Sequence, residues 1–159
     1  MTIKRLQEPP GSRCFVCAPG NPNGLNIPFD YDDEDGSVQT TVTFGDLHCG
    51  APTYVHVGLA MSVLAEAMAW TVVTTTGRFS ITLASNTKFQ RPLRAGVPYR
   101  VHAKVDEIAE TKMHTSALFS SGDQVFVTAT ATFQVISEEI SARLRARVTE
   151  PFRAQSDGG

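Results

Sequence analysis

The residues best suited to chemistry stand together at the start of one long apolar segment. His56 is followed by Val57 and Gly58, and Glu66 is the only charged residue between His56 and Arg78. A helix from Leu59 onward would place His56, Val57 and Gly58 at its entrance, with free backbone N–H groups at the positive end of its dipole. Such a helix start can bind an oxyanion or polarise a carbonyl group, and a nearby carboxylate can activate water.

Glu66 has three interpretations, because an isolated buried carboxylate is unfavourable. It is a catalytic acid, a structural carboxylate hydrogen-bonded to Ser62 or across a dimer interface, or a pocket-lining group without a chemical role. Burial is expected to raise its pKa, which would suit a general base that water can reach. His56 is either a base or, in the interpretation that we favour, a hydrogen-bonding residue at the helix start.

Cys14 and Cys17 have the spacing of half a zinc site. The remaining candidate ligands, His48 and Cys49, are adjacent to each other, so we assign no metal site. The alternative is a tight loop with two small, partly buried thiols, because residues 18–24 are rich in turn formers. A thioredoxin-like role is less favoured without a following βαβ pattern, and Cys49 has no identifiable base that would make it a nucleophile.

Several other polar residues are candidates for contacts with a substrate. His48 lies two residues after Asp46, and this pair could activate water or simply belong to a surface loop. Lys88, Arg91 and Arg94 form a basic set near the end of a predicted strand. They could bind phosphate groups or form a solvated strand end.

Hydrophobic patterning places these residues in one α+β domain that spans residues 1–159. The segment from Leu59 to Thr76 is apolar nearly all round, which predicts a buried helix, and Glu66 makes it a poor membrane span. Alternating patterns predict two strands before this helix and four after it, at residues 25–31, 38–44, 81–89, 99–107, 112–121 and 125–135. Short turns imply antiparallel neighbours, and such a sheet buries one helix only by curling around it.

Both ends of the chain lie outside this predicted sheet. Residues 1–13 are polar and are expected to form a poorly ordered N-terminal arm. The C-terminal region, residues 137–159, is expected to contain an amphipathic helix from Glu138 to Val148 and a loose tail over residues 151–159. The first residues contain no apolar signal segment, so we expect a cytoplasmic protein.

Composition excludes several classes of function. The chain has 14 basic and 16 acidic residues, a balance that does not favour nucleic acid as a partner. Three cysteines fit a reducing compartment better than a disulfide framework. Motifs for dinucleotides, phosphate loops and zinc proteases are absent, so no cofactor is expected.

Four motifs, in this order of elements, resemble the hotdog-fold acyl-CoA thioesterases, in particular the phenylacetyl-CoA and 4-hydroxybenzoyl-CoA type. They extend over about residues 14–136. The motifs are Cys14-Phe15-Val16-Cys17 with Asn21-Pro22-Asn23-Gly24-Leu25; Val55-His56-Val57-Gly58 running into Leu64-Ala65-Glu66-Ala67-Met68-Ala69-Trp70; Asn86-Thr87-Lys88-Phe89-Gln90-Arg91-Pro92 with Gly96; and Gly122-Asp123 followed by Ala129-Thr130-Ala131-Thr132-Phe133.

The resemblance implies a hotdog fold, with one curved antiparallel sheet around a long central helix. It implies a homodimer whose sheets join edge to edge, often doubled to a tetramer, with an acyl-CoA or acyl-carrier thioester at the dimer interface. Hydrolysis needs no cofactor in this family, because a backbone N–H after the motif His polarises the thioester carbonyl. It follows that the catalytic candidates are His56, Val57, Gly58 and Glu66, and the substrate-binding candidates are His48, Asn86, Lys88, Arg91 and Arg94.

Two positions depart from the family pattern. The family carboxylate stands nine residues after the motif His, where this chain has Ala65, and the acid falls on Glu66 instead. Because one helical position is a rotation of about 100°, Glu66 faces a different side of the helix from the family carboxylate. Val57 replaces the first glycine of the motif and crowds the place where the thioester would lie. Thioester hydrolysis is therefore expected, and thioester binding without hydrolysis is the alternative; hydration or dehydration would need a better acid–histidine pair than Asp46 and His48.

Overall fold

The sheet and helices are described by a computed structural model over residues 2–148. Within this range, the elements are β1 (Ile3–Arg5), β2 (Asp30–Asp32), β3 (Val38–Thr43), a short 3₁₀ turn (Asp46–His48), α1 (Val57–Thr76), β4 (Ser80–Phe89), β5 (Pro98–Ala109), β6 (Lys112–Ser121), β7 (Gln124–Val135) and α2 (Glu138–Val148). The seven strands form one antiparallel sheet in the order β1-β2-β3-β5-β6-β7-β4.

The long helix α1 lies in the middle of the sheet and packs against β3, β4, β5, β6 and β7. One side of it is fully buried, through Ala60, Val63, Leu64, Ala67, Met68, Thr71 and Val72. Gly77 ends the helix in the left-handed conformation, with φ 68°, as expected for a residue at this position. The predicted sheet curled around one helix is confirmed, and α1 begins at Val57, two residues before the predicted start.

The length and mean hydropathy of α1, 1.6, would by themselves suffice for a membrane span. The buried side of the helix meets the inner face of the sheet instead, where Tyr99, Val101, Phe119, Val127 and Phe133 are buried. We conclude that α1 is the core helix of this domain. The strands β4 to β7 and the helix α2 agree with the predicted elements to within two residues.

A second side of α1 is apolar and exposed, which is unusual for a core helix. Val57 and Met61 expose 52% and 43% of their surface, and Ala65 follows one turn later. The neighbouring strand β4 lies at the edge of the sheet, paired only with β7 among the described strands. Its Phe89, which is opposite the buried Val127 and so points to the same side of the sheet as α1, is also exposed. This surface of α1 and β4 is named the open face below.

The N-terminal segment differs from the prediction. Residues 1–13 were expected to be poorly ordered, but β1 pairs with β2 and the Leu6 N–H donates to the Phe29 carbonyl at 2.9 Å. The predicted strand over residues 25–31 contributes only its last residues to β2. Its earlier residues pair with the cysteine loop instead, because the N–H groups of Leu25 and Ile27 donate to Phe15 and Val16.

Gly24 allows this close pairing with the cysteine loop. A Cβ at this position would lie 2.6 Å from the Phe15 carbonyl oxygen, closer than any side chain tolerates. The loop of Cys14 and Cys17 is therefore held against the core by backbone contacts. The predicted tail over residues 151–159 lies outside the described residues.

Candidate functional site

The start of α1 is built around the His56 side chain. His56 is the N-cap residue, with φ −60° and ψ 127°, and its ring Nδ1 accepts a hydrogen bond from the Gly58 N–H at 3.0 Å. Two glycines leave room for the ring, since a Cβ on Gly50 would lie 3.2 Å from His56 Cδ2 and one on Gly58 would lie 3.1 Å from Nδ1. In its capping position the neutral ring carries its proton on Nε2 and is a donor there.

The capping bond leaves one free backbone donor at the helix start. The first N–H groups of an α-helix have no partner within the helix. The Gly58 N–H donates to His56, and the Leu59 and Ala60 N–H groups donate to the His56 carbonyl. Among residues 2–148, the Val57 N–H has no hydrogen-bond acceptor. Of the two predicted donors, Val57 is therefore available for a ligand and Gly58 is committed to the cap.

A pocket of about 440 Å³ opens at this free donor. It is mainly apolar, and no acidic residue lines it in the part of the chain that the structure describes. Its lining residues are Gly50, Ala51, Tyr54, Val55, His56, Val57, Ala60, Phe89, Gln90, Arg91, Pro92 and Leu93. Tyr54, Phe89, Gln90 and Pro92 were not among the predicted site residues, although the last three belong to a motif from which the site was predicted and Tyr54 precedes another.

Arg91 joins this pocket to a wider, polar depression of about 760 Å³ lined also by Ser121, Asp123 and Gln124. With the Gln124 amide oriented by its partners, its oxygen accepts from the Arg91 guanidinium at 3.0 and 3.1 Å. Arg94 lies nearby, where its guanidinium donates to the Tyr54 hydroxyl at 3.1 Å and stands 4.9 Å above the ring of Tyr54. Of the three predicted cations, Arg91 therefore lines the pocket and Arg94 contacts its lining residue Tyr54.

The other predicted substrate contacts are placed differently. Asn86 and Lys88 are exposed on the edge strand β4, outside the residues that line the pocket. His48 is also outside the lining residues; its carbonyl accepts from the His56 N–H at 2.9 Å and its Nδ1 accepts from the Gly45 N–H at 3.0 Å. The backbone hydrogen bond holds His48 against the residue that caps α1.

Glu66 is placed in a different environment, beside the cysteine loop. Its carboxylate accepts from the Cys17 thiol at 3.1 Å, and the same thiol donates to Glu8 at 2.7 Å. Ser62 donates instead to the Gly58 carbonyl at 2.8 Å. Glu66 also lines a separate pocket of about 330 Å³ together with Glu8 and Trp70. The carboxylate is thus hydrogen-bonded as one interpretation predicted, but to a thiol of the loop instead of to Ser62.

The acidic groups around Glu66 change one another's protonation. Burial, followed by the negative charge of Cys14, raises the pKa of Glu66 to about 8, in the direction that we expected. A hydrogen bond from Cys17 lowers the pKa of Cys14 to about 6. The pKa of Cys17 is raised by that same hydrogen bond, by burial and by the charge of Glu66. Cys14 therefore has the greater thiolate character of the two cysteines.

Glu66 and the free N–H of Val57 lie on opposite sides of α1. Nine helical positions correspond to a rotation of about 180° from Val57 and a rise of about 13 Å. Ala65, by contrast, is exposed on the same side as Val57 and Met61. The catalytic role of Glu66 stays a prediction, and the structure shows that it does not line the same pocket as His56 and Val57.

Comparisons of the sequence with protein families and of the fold with solved structures both match thioesterases. The family model of the thioesterase-like superfamily matches residues 42–155. A solved thioesterase superfamily protein matches with a TM-score of 0.66 and 24% identity, over 73% of this chain and 57% of that chain. This chain thus spans little more than half the length of that relative.

Two further solved structures cover most of both chains. A phenylacetic acid degradation-related protein from Ralstonia eutropha matches with a TM-score of 0.65 and 26% identity, over 74% of this chain and 91% of that chain. A Streptococcus mutans protein bound to acetyl-CoA matches with a TM-score of 0.63 and 18% identity, over 70% and 90%. No curated protein matches. The hotdog architecture is thereby confirmed, and the chain belongs to the thioesterase-like superfamily.

Proposed function

We propose that this protein binds an acyl-CoA thioester at the start of α1 and hydrolyses it. The observation that carries the proposal is the free Val57 N–H, which stands at the positive end of a 20-residue helix and beside an apolar pocket. A donor in this position stabilises the oxyanion that develops when water attacks a thioester carbonyl. The family to which the chain belongs supports the same reaction class.

The surroundings of the pocket suit the two ends of such a substrate. The lining is apolar enough for an acyl chain, through Val55, Ala60 and Leu93. Arg91 and Arg94 provide fixed cations at its edge, and guanidinium groups are well suited to phosphate oxygens such as those of coenzyme A. His56, whose Nε2–H is a donor in the capped state, adds a second polar contact for the carbonyl region.

The proposed active unit is a dimer formed through the open face. A ten-residue edge strand with an unpaired side, beside an exposed apolar helix stripe, is a surface that proteins normally cover. Pairing of two open faces by a two-fold axis would bring the Ala65 region of one helix toward Val57 of the other. One helix alone cannot do this, since the two positions lie about 12 Å apart along its axis.

Replacing Met61 by Lys should convert the dimer to a monomer and remove activity. Met61 is on α1 and is 43% exposed, so the lysine would cost little in one isolated protomer but would place a charge inside the proposed interface. Sedimentation velocity checks the oligomeric state. Ile108→Lys is the control, because Ile108 is also an exposed apolar residue, at 58%, but lies on β5, away from the open face. Equal sedimentation of both variants with the parent would contradict the proposed interface.

The direct test is release of free coenzyme A from a panel of aromatic and aliphatic acyl-CoAs, with binding measured in parallel by calorimetry. We expect hydrolysis of at least one substrate class. Binding without any release of thiol would overturn hydrolysis and leave binding as the function. If the protein neither binds an acyl-CoA nor releases coenzyme A from one, the proposed site is wrong.

One observation favours thioester binding without hydrolysis as a second candidate function. The helix position that faces the same side as Val57 carries Ala65 instead of a carboxylate, and the pocket lining contains no acid among the described residues.

If the protein hydrolyses thioesters with Glu66 as its base, Glu66→Gln should abolish the reaction. Activity that survives this substitution would remove Glu66 from the mechanism.

A further inference from the structure

Four acidic side chains from distant parts of the chain meet beside α1. They are Glu8 of the N-terminal segment, Cys14 and Cys17 of the loop, and Glu66 of the helix. One potential ligand atom from each lies within 4.8 Å of all the others. Tetrahedral zinc, with Zn–S bonds of about 2.3 Å and Zn–O bonds of about 2.1 Å, separates its ligand atoms by roughly 3.3–3.8 Å. The four atoms are thus already gathered at nearly the spacing of a zinc site.

We propose that Glu8, Cys14, Cys17 and Glu66 bind one zinc ion. The two thiolates favour zinc over magnesium or calcium, which prefer all-oxygen sites, and carboxylate oxygens are ordinary zinc ligands. The C-x-x-C spacing supplies two adjacent corners of the tetrahedron, as the sequence suggested. The other half comes from Glu8 and Glu66, and not from the sequence candidates His48 and Cys49.

The contacts between these groups support the presence of a cation. The Cys17 thiol is placed between two carboxylates, at 2.7 Å from Glu8 and 3.1 Å from Glu66. Cys17 is buried, and the other three groups are partly buried. Four acidic groups so close together must retain protons or share a cation, because their negative charges repel at this distance. Zinc would displace the protons that these four groups retain and would offset two of their four negative charges.

The position of the cluster indicates a structural site and not a catalytic one. All four corners are protein side chains, which leaves no open position for water or substrate. The ion would attach the segment around Glu8 and the cysteine loop to the middle of α1, on the opposite side of the helix from Val57. The readouts of this inference do not depend on activity, and it requires that Glu66 serve as a metal ligand and not as the general base of hydrolysis.

The test uses the full-length protein, kept under a phosphine reductant that does not bind zinc. Zinc content after dialysis is measured by plasma mass spectrometry, with one zinc per chain expected. Cobalt titration should give the visible absorption of tetrahedral Co²⁺ together with thiolate charge-transfer bands. Loss of even an outer-shell partner lowers metal affinity roughly 10–100-fold, so Glu8→Gln and Cys14→Ser should each weaken zinc binding at least tenfold.

Cys49→Ser is the matched control, because Cys49 is a half-buried free thiol outside the cluster and its removal should leave zinc content unchanged. If Cys14→Ser fails to fold, Glu8→Gln retains the loop and still tests the site. Less than 0.1 zinc per chain after equilibration with micromolar zinc, or octahedral cobalt spectra, would overturn the proposal. If Glu8→Gln binds zinc with the same affinity as the parent protein, the assigned set of ligands is wrong.

Discussion

Val57→Pro should lower kcat for thioester hydrolysis by roughly 10²–10³-fold, the usual cost of losing one oxyanion donor. Proline removes the one N–H at the helix start that has no acceptor among the described residues. The backbone accommodates this change, because proline is favoured at the first helical position. The preceding residue, His56, already has ψ 127°, in the range that a following proline requires.

Val57→Ala is the control for this substitution, since alanine keeps the N–H and relieves the crowding by the isopropyl group. It should retain or increase activity. Circular dichroism and thermal unfolding of both variants would confirm that α1 is intact. Equal kcat for Val57→Pro and Val57→Ala would show that the carbonyl is polarised elsewhere. If the protein binds thioesters without hydrolysing them, the thioester affinities of Val57→Pro and Val57→Ala are compared instead. Weaker binding by Val57→Pro would place the carbonyl at the Val57 N–H.

Ala65→Asp should raise kcat/KM for thioester hydrolysis by roughly 10²-fold or more, which is the lower range for a correctly placed general base. The position is exposed on the same side of α1 as Val57 and Met61, so the new carboxylate would enter the open face without burial in the protomer core. The rate is measured by the release of coenzyme A from the best substrate of the panel.

Thr75→Asp is the control, because it adds the same charge at another exposed position of α1, about three turns further along. It should leave the rate unchanged. A gain confined to Ala65→Asp would mean that this chain keeps the family site in a form with reduced chemistry. If Ala65→Asp binds substrate as the parent does and reacts no faster, the thioester does not lie against the open face.

The elements of the sheet could be predicted because their information is local. The alternation of Val125, Val127, Ala129, Ala131 and Phe133 defines one face of β7 without reference to any partner strand. The amphipathic pattern of α2 gave both of its ends, Glu138 and Val148. The helix α1 began earlier than predicted because the cap at His56 depends on its ring reaching the Gly58 N–H, a detail of conformation that residue type alone does not specify.

The surroundings of Glu66 could not be predicted in the same way. Periodicity indicates which side of α1 Glu66 occupies, but not which segment packs there. The partner is the cysteine loop with Glu8, 58 residues earlier in the chain. Glu8 lies in a polar stretch with no pattern of its own, so no local signal marked it. The pairing arises from tertiary structure, which overrides the expectation of a disordered arm.

The position of β4 at the sheet edge has a consequence for the order of events during synthesis. β4 directly follows α1 in the chain, yet its strand neighbour is β7, whose residues Gln124–Val135 are made about 35 residues later. When α1 leaves the ribosome, the strands β5, β6 and β7 against which it packs have not yet been made, and α1 is strongly apolar. Nascent chains of this protein should therefore need protection by chaperones until β7 has emerged.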